Sequence, residues 1–281
     1  MKRALILSLV VSFIISGATR AAVKPHGLFS DGAVLQQGIE APVWGTANDG
    51  EKITVKFQDQ EVSTAGKDGH WLIKLKPLKP GGPFTMTISG ENTIEVKNLL
   101  VGEVWVCSGQ SNMELPLKAT TNAQEVAAGA KDSLLRLCTV PNDFDNVPLK
   151  DVAAEWKECN PTSVINFSAV GYYFGRDLRK AQNVPVGLLN ASVGGSPAQA
   201  WVSARTLAAN PLFRSFFAGT EQAVSNYVAA LAKYQTDESK LLETWQADVE
   251  KAKLDGKPTP TKPAPPANPA KRGPGCFYYG M

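Results

Sequence analysis

An α/β chain, with an antiparallel β unit standing in front of a sheet covered by helices, is what the sequence predicts, and three observations carry it. Residues 34–100 alternate apolar and polar side chains over short runs: Ile53, Val55 and Phe57; Trp71, Ile73 and Leu75; Phe84, Met86 and Ile88; Ile94 and Val96. Period-two alternation buries one face of a strand. After residue 99 apolar runs alternate with segments of helical spacing, the grammar of a sheet packed under helices. Between the two regimes a near-continuous apolar run, residues 99–107, stops abruptly in Gly109-Gln110-Ser111-Asn112. A buried strand needs such a run, and a glycine just past its end lets the backbone turn sharply at the sheet edge where α/β enzymes place their chemistry.

Taken in order, the chain opens with Lys2 and Arg3, an apolar run over residues 4–15, and small residues at Ser16, Gly17, Ala18 and Ala21. That is the pattern of an export signal, over residues 1–22, and the run is too short to span a bilayer. The β unit, residues 23–100, is punctuated by Asn48-Asp49-Gly50, Asp68-Gly69, Pro80-Gly81-Gly82-Pro83 and Ser89-Gly90-Glu91-Asn92 and reads as an antiparallel sandwich. In the α/β part, residues 101–215, Ser168 caps a helix carrying Val170, Tyr173, Phe174, Leu178 and Ala181, and Asn183-Val184-Pro185 ends it before a strand over 186–189. Another helix is expected over 198–209, and the aromatics of the first are expected in the core. Residues 216–256 form a helical insertion, one long helix or a pair. Residues 257–275 hold Pro258, Pro260, Pro263, Pro265, Pro266, Pro269 and Pro274 and read as a semi-rigid linker. Residues 276–281 begin a remainder.

Composition narrows function. The 281-residue chain has a formal charge of +3, which falls to zero without Lys2, Arg3 and Arg20, and no basic cluster interleaves with aromatics, so no nucleic-acid partner is expected. Phosphate-loop and dinucleotide fingerprints are absent. Four cysteines in an exported chain permit three pairings, a Cys138–Cys159 bridge among them. The two histidines, His26 and His70, and the lack of any Cys-x-x-Cys imply no metal site, and no cofactor is expected. Asn166-Phe167-Ser168 and Asn190-Ala191-Ser192 match the N-glycosylation pattern by chance.

The chemistry concentrates in Val101-Gly102-Glu103-Val104-Trp105-Val106-Cys107-Ser108-Gly109-Gln110-Ser111-Asn112-Met113 and in Val186-Gly187-Leu188-Leu189-Asn190-Ala191-Ser192-Val193-Gly194-Gly195-Ser196-Pro197-Ala198-Gln199-Ala200-Trp201. The first string resembles the first sequence block of the SGNH-type hydrolases, in the form found in sialate O-acetylesterases and related carbohydrate acetylesterases; the second resembles the family's second block. Residues 28–36 and 167–176 also read like family sequence. The resemblance implies a three-layer α/β/α SGNH-hydrolase-like domain, incomplete here, behind the β unit. It makes Ser111, not Ser108, the nucleophile, and assigns the Gly195 amide, with Gly194 next, to the oxyanion hole. The implied substrate is an O-acetylated carbohydrate, sialic acid first and polysaccharide second. Val193 stands where these relatives usually carry tryptophan.

Ester hydrolysis also needs a base and a group to orient it. His26 precedes the β unit and His70 sits in a hairpin-like position, so neither matches the family's histidine, and the third block and the final Asp-x-x-His block do not occur. The expectation is therefore the amino-terminal part of an acetylesterase, exported to the periplasm or beyond and nearly inert alone. The alternative is a non-catalytic exported glycan-binding or degenerate hydrolase fragment. A cysteine hydrolase built on Cys107 ranks third, because its strand position should bury the thiol. Which sugar is bound and the oligomeric state are not written in these residues.

Overall fold

The computed structural model describes residues 22–141, 149–266 and 276–277. The expected leader, the second half of the proline-rich segment and residues 142–148 and 278–281 lie outside the described residues. The strands are β1 (Lys24–Pro25), β2 (Val34–Gln36), β3 (Ala41–Thr46), β4 (Lys52–Phe57), β5 (Gln60–Ala65), β6 (His70–Leu75), β7 (Gly81–Ser89), β8 (Thr93–Gly109), β9 (Asp132–Thr139), β10 (Trp156–Cys159) and β11 (Val186–Ser192). The helices are α1 (Ser111–Glu114), α2 (Ala123–Gly129), α3 (Pro161–Val164), α4 (Ala169–Gln182), α5 (Ala204–Ala209) and α6 (Arg214–Leu254).

The alternating runs fold as strands with one buried face. Ile53, Val55 and Phe57 of β4 and Trp71, Ile73 and Leu75 of β6 are buried, while Lys52, Lys56 and Lys74 face water. Strands β1, β3 and β6 make a small antiparallel sheet, and β5, β4 and β7 run antiparallel into β8 as one wing of an eight-stranded mixed sheet. Val43 and Ile73 from the small sheet meet Ile53, Val55, Met86 and Ile88 from the large one in a common core.

Strand β8 joins the two regimes. It runs 17 residues, so position 100, where the β unit was expected to end, falls inside a strand. Met86 pairs with Val96 but Phe84 with Leu99, which leaves one extra residue on β8 near Asn98, at φ +56°. Such a bulge bends the strand and raises its twist. Past it β8 leaves β7 and enters a parallel ladder with β11, which is itself parallel to β9. The antiparallel β10 closes the far edge. Sequence reading missed β9 and β10. Leu134, Leu135, Leu137 and Cys138 of β9 were the available signal, a short apolar run whose period does not separate strand from helix.

Helix α4 begins where expected: Ser168 Oγ accepts from the Gly171 N–H at 3.0 Å, and Asn183 ends the helix in the left-handed region at φ +54°. Its packed face, however, is Ala169, Gly171, Tyr172 and Gly175, and Phe174 stands 41% exposed. The small residues decide this, because a Cβ on Gly175 would lie 2.5 Å from Leu188 Cδ1, so the helix rests almost directly on β11. Phe174 instead meets Trp105 edge to face, with ring centroids 5.0 Å apart. The helix expected over 198–209 is broken into a 3-10 turn, Ala198–Trp201, and α5, which Ser203 caps. The segment expected as a helical insertion is one helix, α6, of 41 residues. The proline segment turns back onto it: the Trp245 indole donates to the Pro260 carbonyl at 2.9 Å, and the Lys262 ammonium lies 5.8 Å from the indole ring.

A Cys138–Cys159 bridge is ruled out. Cys138 faces Trp156 while Cys159 faces Asp132, six positions further along β9, or about 20 Å at strand rise, far beyond disulfide reach. All four cysteines are free.

Candidate active site

Strand β8 ends at Gly109, whose φ of +148° strains any residue with a side chain; a Cβ there would also come within 3.4 Å of Met113 Cβ. The chain turns at once into α1, with the Gln110 carbonyl accepting from the Met113 and Glu114 amides at 2.9 and 3.0 Å. Ser111 is thereby held in the first turn and is exposed, its hydroxyl donating to Gln110 Oε1 at 2.7 Å. The back of the turn is stapled to the start of α4. Leu115 O accepts from the Ala169 N–H, the Leu117 N–H donates to Phe167 O and the Lys118 N–H to Ile165 O, each at 2.9 Å. Ser108, by contrast, stays in the ladder opposite Ala191.

The second block arrives at the same edge because β11 is the parallel neighbour of β8, with Ser192 opposite Gly109 and the Val193 N–H donating to Gly109 O at 3.0 Å. Of the two glycines, Gly194 lies against the nucleophile turn: a Cβ on it would sit 3.7 Å from Ser111 Cα and only 2.4 Å from Glu114 Oε2. Its N–H donates to Glu114 Oε2 at 2.8 Å. Gly195, at φ +71°, is exposed with open space around it, and its amide has no partner among the described residues. Glu114 is the neighbour that sequence reading passed over, although its place three residues after Ser111 on a helical turn already put both on one side.

Neither histidine joins this group. His70 opens β6 opposite Thr46 and is exposed. His26 lies against Trp44, with ring centroids 5.2 Å apart; its Nδ1 accepts from the Leu28 N–H at 3.3 Å and its Nε2 is 3.9 Å from Asp151 Oδ1. Cys107 points beneath α4, where burial pushes its thiol up, away from the thiolate that a cysteine nucleophile requires. Burial likewise holds Cys138 up to about 11 and Cys159 up to about 12. Asn190 of the second glycosylation pattern is buried and accepts from the Ser192 hydroxyl at 2.6 Å. Among the described residues, no three of His, Cys, Asp or Glu gather as metal ligands would.

A serine on a glycine turn at the end of a parallel strand, beside a second glycine-rich strand end, is a hydrolase arrangement. The family model described as carbohydrate esterase, sialic acid-specific acetylesterase matches residues 101–254, more than half of the chain. The chain belongs to that family. It is 33% identical over 229 residues to a protein named sialate O-acetylesterase from Homo sapiens, covering 73% of this chain and 44% of the relative. To the Rattus norvegicus protein of that name it is 35% identical over 193 residues, 60% of this chain and 35% of the relative. A crystal structure of a carbohydrate acetylesterase from Xanthomonas citri superposes with a TM-score of 0.64 at 34% identity, over 66% of this chain and 44% of that one. The chain therefore spans less than half the length of the relatives it matches.

Proposed function

We propose that this chain carries the nucleophile side of a serine carbohydrate O-acetylesterase. The Ser111 hydroxyl attacks the carbonyl of a sugar O-acetyl group, the sugar alcohol leaves, and water releases acetate from the acetyl-enzyme. The amides of Ser111 and Gly195, with Gly194 the other candidate, serve as donors to the oxyanion. The observation that carries the reading is the strand-end turn that exposes Ser111 beside the end of β11. Family membership supports an O-acetylated sugar as substrate, and the names of the mammalian relatives favour acetylated sialic acid over acetylated polysaccharide. The parallel strands β9, β11 and β8 with α4 on one face are in keeping with part of a three-layer α/β/α domain behind a β-sandwich unit. The leader pattern over residues 1–22 supports export to the periplasm or beyond.

The base is not His26 or His70, the two histidines of this sequence. We assign it to an Asp-x-x-His block on a longer polypeptide, so the 281-residue chain alone should turn over very slowly. Losing the nucleophile or the base of such a triad costs on the order of 10⁶ in turnover. The rival reading, a non-catalytic glycan-binding protein, draws on the same inventory.

The test is acetate release from an acetylated sialic acid by a polypeptide extended through an Asp-x-x-His block. Ser111→Ala should abolish release and Ser108→Ala should leave it. Release that survives Ser111→Ala but dies with Ser108→Ala would overturn the choice of nucleophile. Saturable sugar binding with no release at all would favour the rival.

A further inference from the structure

We infer that Glu114 is a positioning residue: by holding the Gly194 amide it sets the backbone opposite Ser111 and leaves the Gly195 amide as the free donor for the oxyanion. The inference rests on the esterase reading above. Past Ser192 the parallel ladder runs out, and the Val193 N–H bond to Gly109 O is the last strand-like tie between the two blocks. Beyond it stand two consecutive glycines, the least restrained backbone a chain can have. Glu114 supplies what the ladder no longer does. One helical turn places its carboxylate on the side of Ser111, and Oε2 takes the Gly194 N–H at 2.8 Å, a charge-assisted bond stronger than a neutral one. A Cβ at position 194 would lie 2.4 Å from that oxygen, so a side chain there would displace the Glu114 carboxylate.

Two consequences follow for the oxyanion hole. The Gly194 amide is already spent, so it cannot also serve a developing negative charge, whereas Gly195 at φ +71° has its amide unpartnered among the described residues. A carboxylate placed in contact with the acetyl oxygen would oppose the charge forming there. Glu114 therefore acts through the backbone, not on the substrate.

The experiment has two readouts. In the chain labelled with ¹⁵N-glycine, the amide exchange of Gly194 is followed in the wild type and in Ser111→Ala, Glu114→Gln and Glu114→Ala. Exchange should remain slow in the first three, because a glutamine carbonyl still accepts, and rise about 10-fold or more in Glu114→Ala. In the extended polypeptide used for Ser111, Glu114→Ala should lower kcat roughly 10- to 100-fold with KM little changed, and Glu114→Gln should restore most of it. Unchanged Gly194 exchange in Glu114→Ala overturns the inference. So does a Glu114→Gln variant as slow as Glu114→Ala, which would mean that the charge itself is needed. Gly194 exchange that responds as described, together with release that ignores Ser111, would leave the clamp standing and remove the esterase reading.

Discussion

His26 and Asp151 stand at one corner of the β unit and show how single residues tie distant segments together. Asp151 accepts from the Lys24 ammonium, from the Gly27 N–H at 2.6 Å and from the Val152 N–H at 2.9 Å. Burial pushes the His26 imidazole below its ordinary 6.5, with Asp151 opposing the shift and Lys24 adding to it. Burial by itself would raise the Asp151 carboxyl, but the bonds from Lys24, Gly27 and Val152 outweigh it and hold the group below its ordinary value. Both groups thus bind protons less readily folded than unfolded. Their stabilising contribution is complete at neutral pH and is lost as pH falls, His26 first, below 6.5, and Asp151 below the carboxylate value. Urea midpoints should drop on going from pH 7 to about 5, at no more than ~1.4 kcal/mol per pH unit from His26. His26→Asn, whose carbonyl can still accept from Leu28, should flatten that step. An equal drop in the variant would assign the acid sensitivity elsewhere. At this scale Ser111 was legible because its turn is local, whereas Asp151 lies 125 residues from His26 and Gly194 lies 80 from Glu114, and neither pairing left a pattern in the sequence.

At the scale of elements, the seam between β8 and β11 is the part the site depends on. Gly102 sits where the two blocks begin to pair: the Glu103 N–H donates to Pro185 O at 2.9 Å, and a Cβ on Gly102 would lie 1.9 Å from that oxygen. Gly102→Ala must therefore push Pro185 away and loosen the parallel register that brings residues 109 and 192 together. The expected cost is about 1–3 kcal/mol of stability, the usual range for overpacking a well-filled site. It would be read as a lower urea midpoint, and wild-type stability in the variant would show that the seam has slack. The alternating strands β4 and β6 were legible because each carries its own period. The face that α4 buries was not, since close approach of Gly171 and Gly175 to the sheet outranks the hydrophobic stripe that includes Phe174.

Across the whole molecule, the carboxyl end of β8 is the exposed flank. Among the described residues, β2 accompanies β8 only as far as Gly102, and residues 105–109 pair with β11 alone. Trp105 is 42% exposed there and Val106 66%. An unpaired strand edge with apolar side chains invites association. The chain should self-associate with rising concentration, and Val106→Lys, which charges that edge without touching the buried Cys107 face, should shift it toward monomer in light scattering. Association unchanged by Val106→Lys would locate the sticky surface elsewhere. Because β8 belongs to both wings of the large sheet, limited proteolysis between residues 93 and 109 should be slow, even though the change of sequence pattern falls there.

What the sequence determined by itself is whatever depends on neighbours along the chain. Period-two burial in β4 and β6, the Ser168 cap, the Asn183 stop and the glycine turn before Ser111 are all written within a few residues of where they act. What only the tertiary structure decided is whatever depends on pairing. The bulge near Asn98 turns two expected strands into one, the order β9-β11-β8 brings residues 109 and 192 to one edge, and the separation of Cys138 from Cys159 forbids their bridge. The resemblance put the Gly195 amide first and Gly194 next, and which of the two lies against the Ser111 turn depends on pairing for the same reason. Both have the backbone freedom such a turn needs, and it is Gly194 that the folded chain brings against the Ser111 turn, its amide bonded to the Glu114 carboxylate.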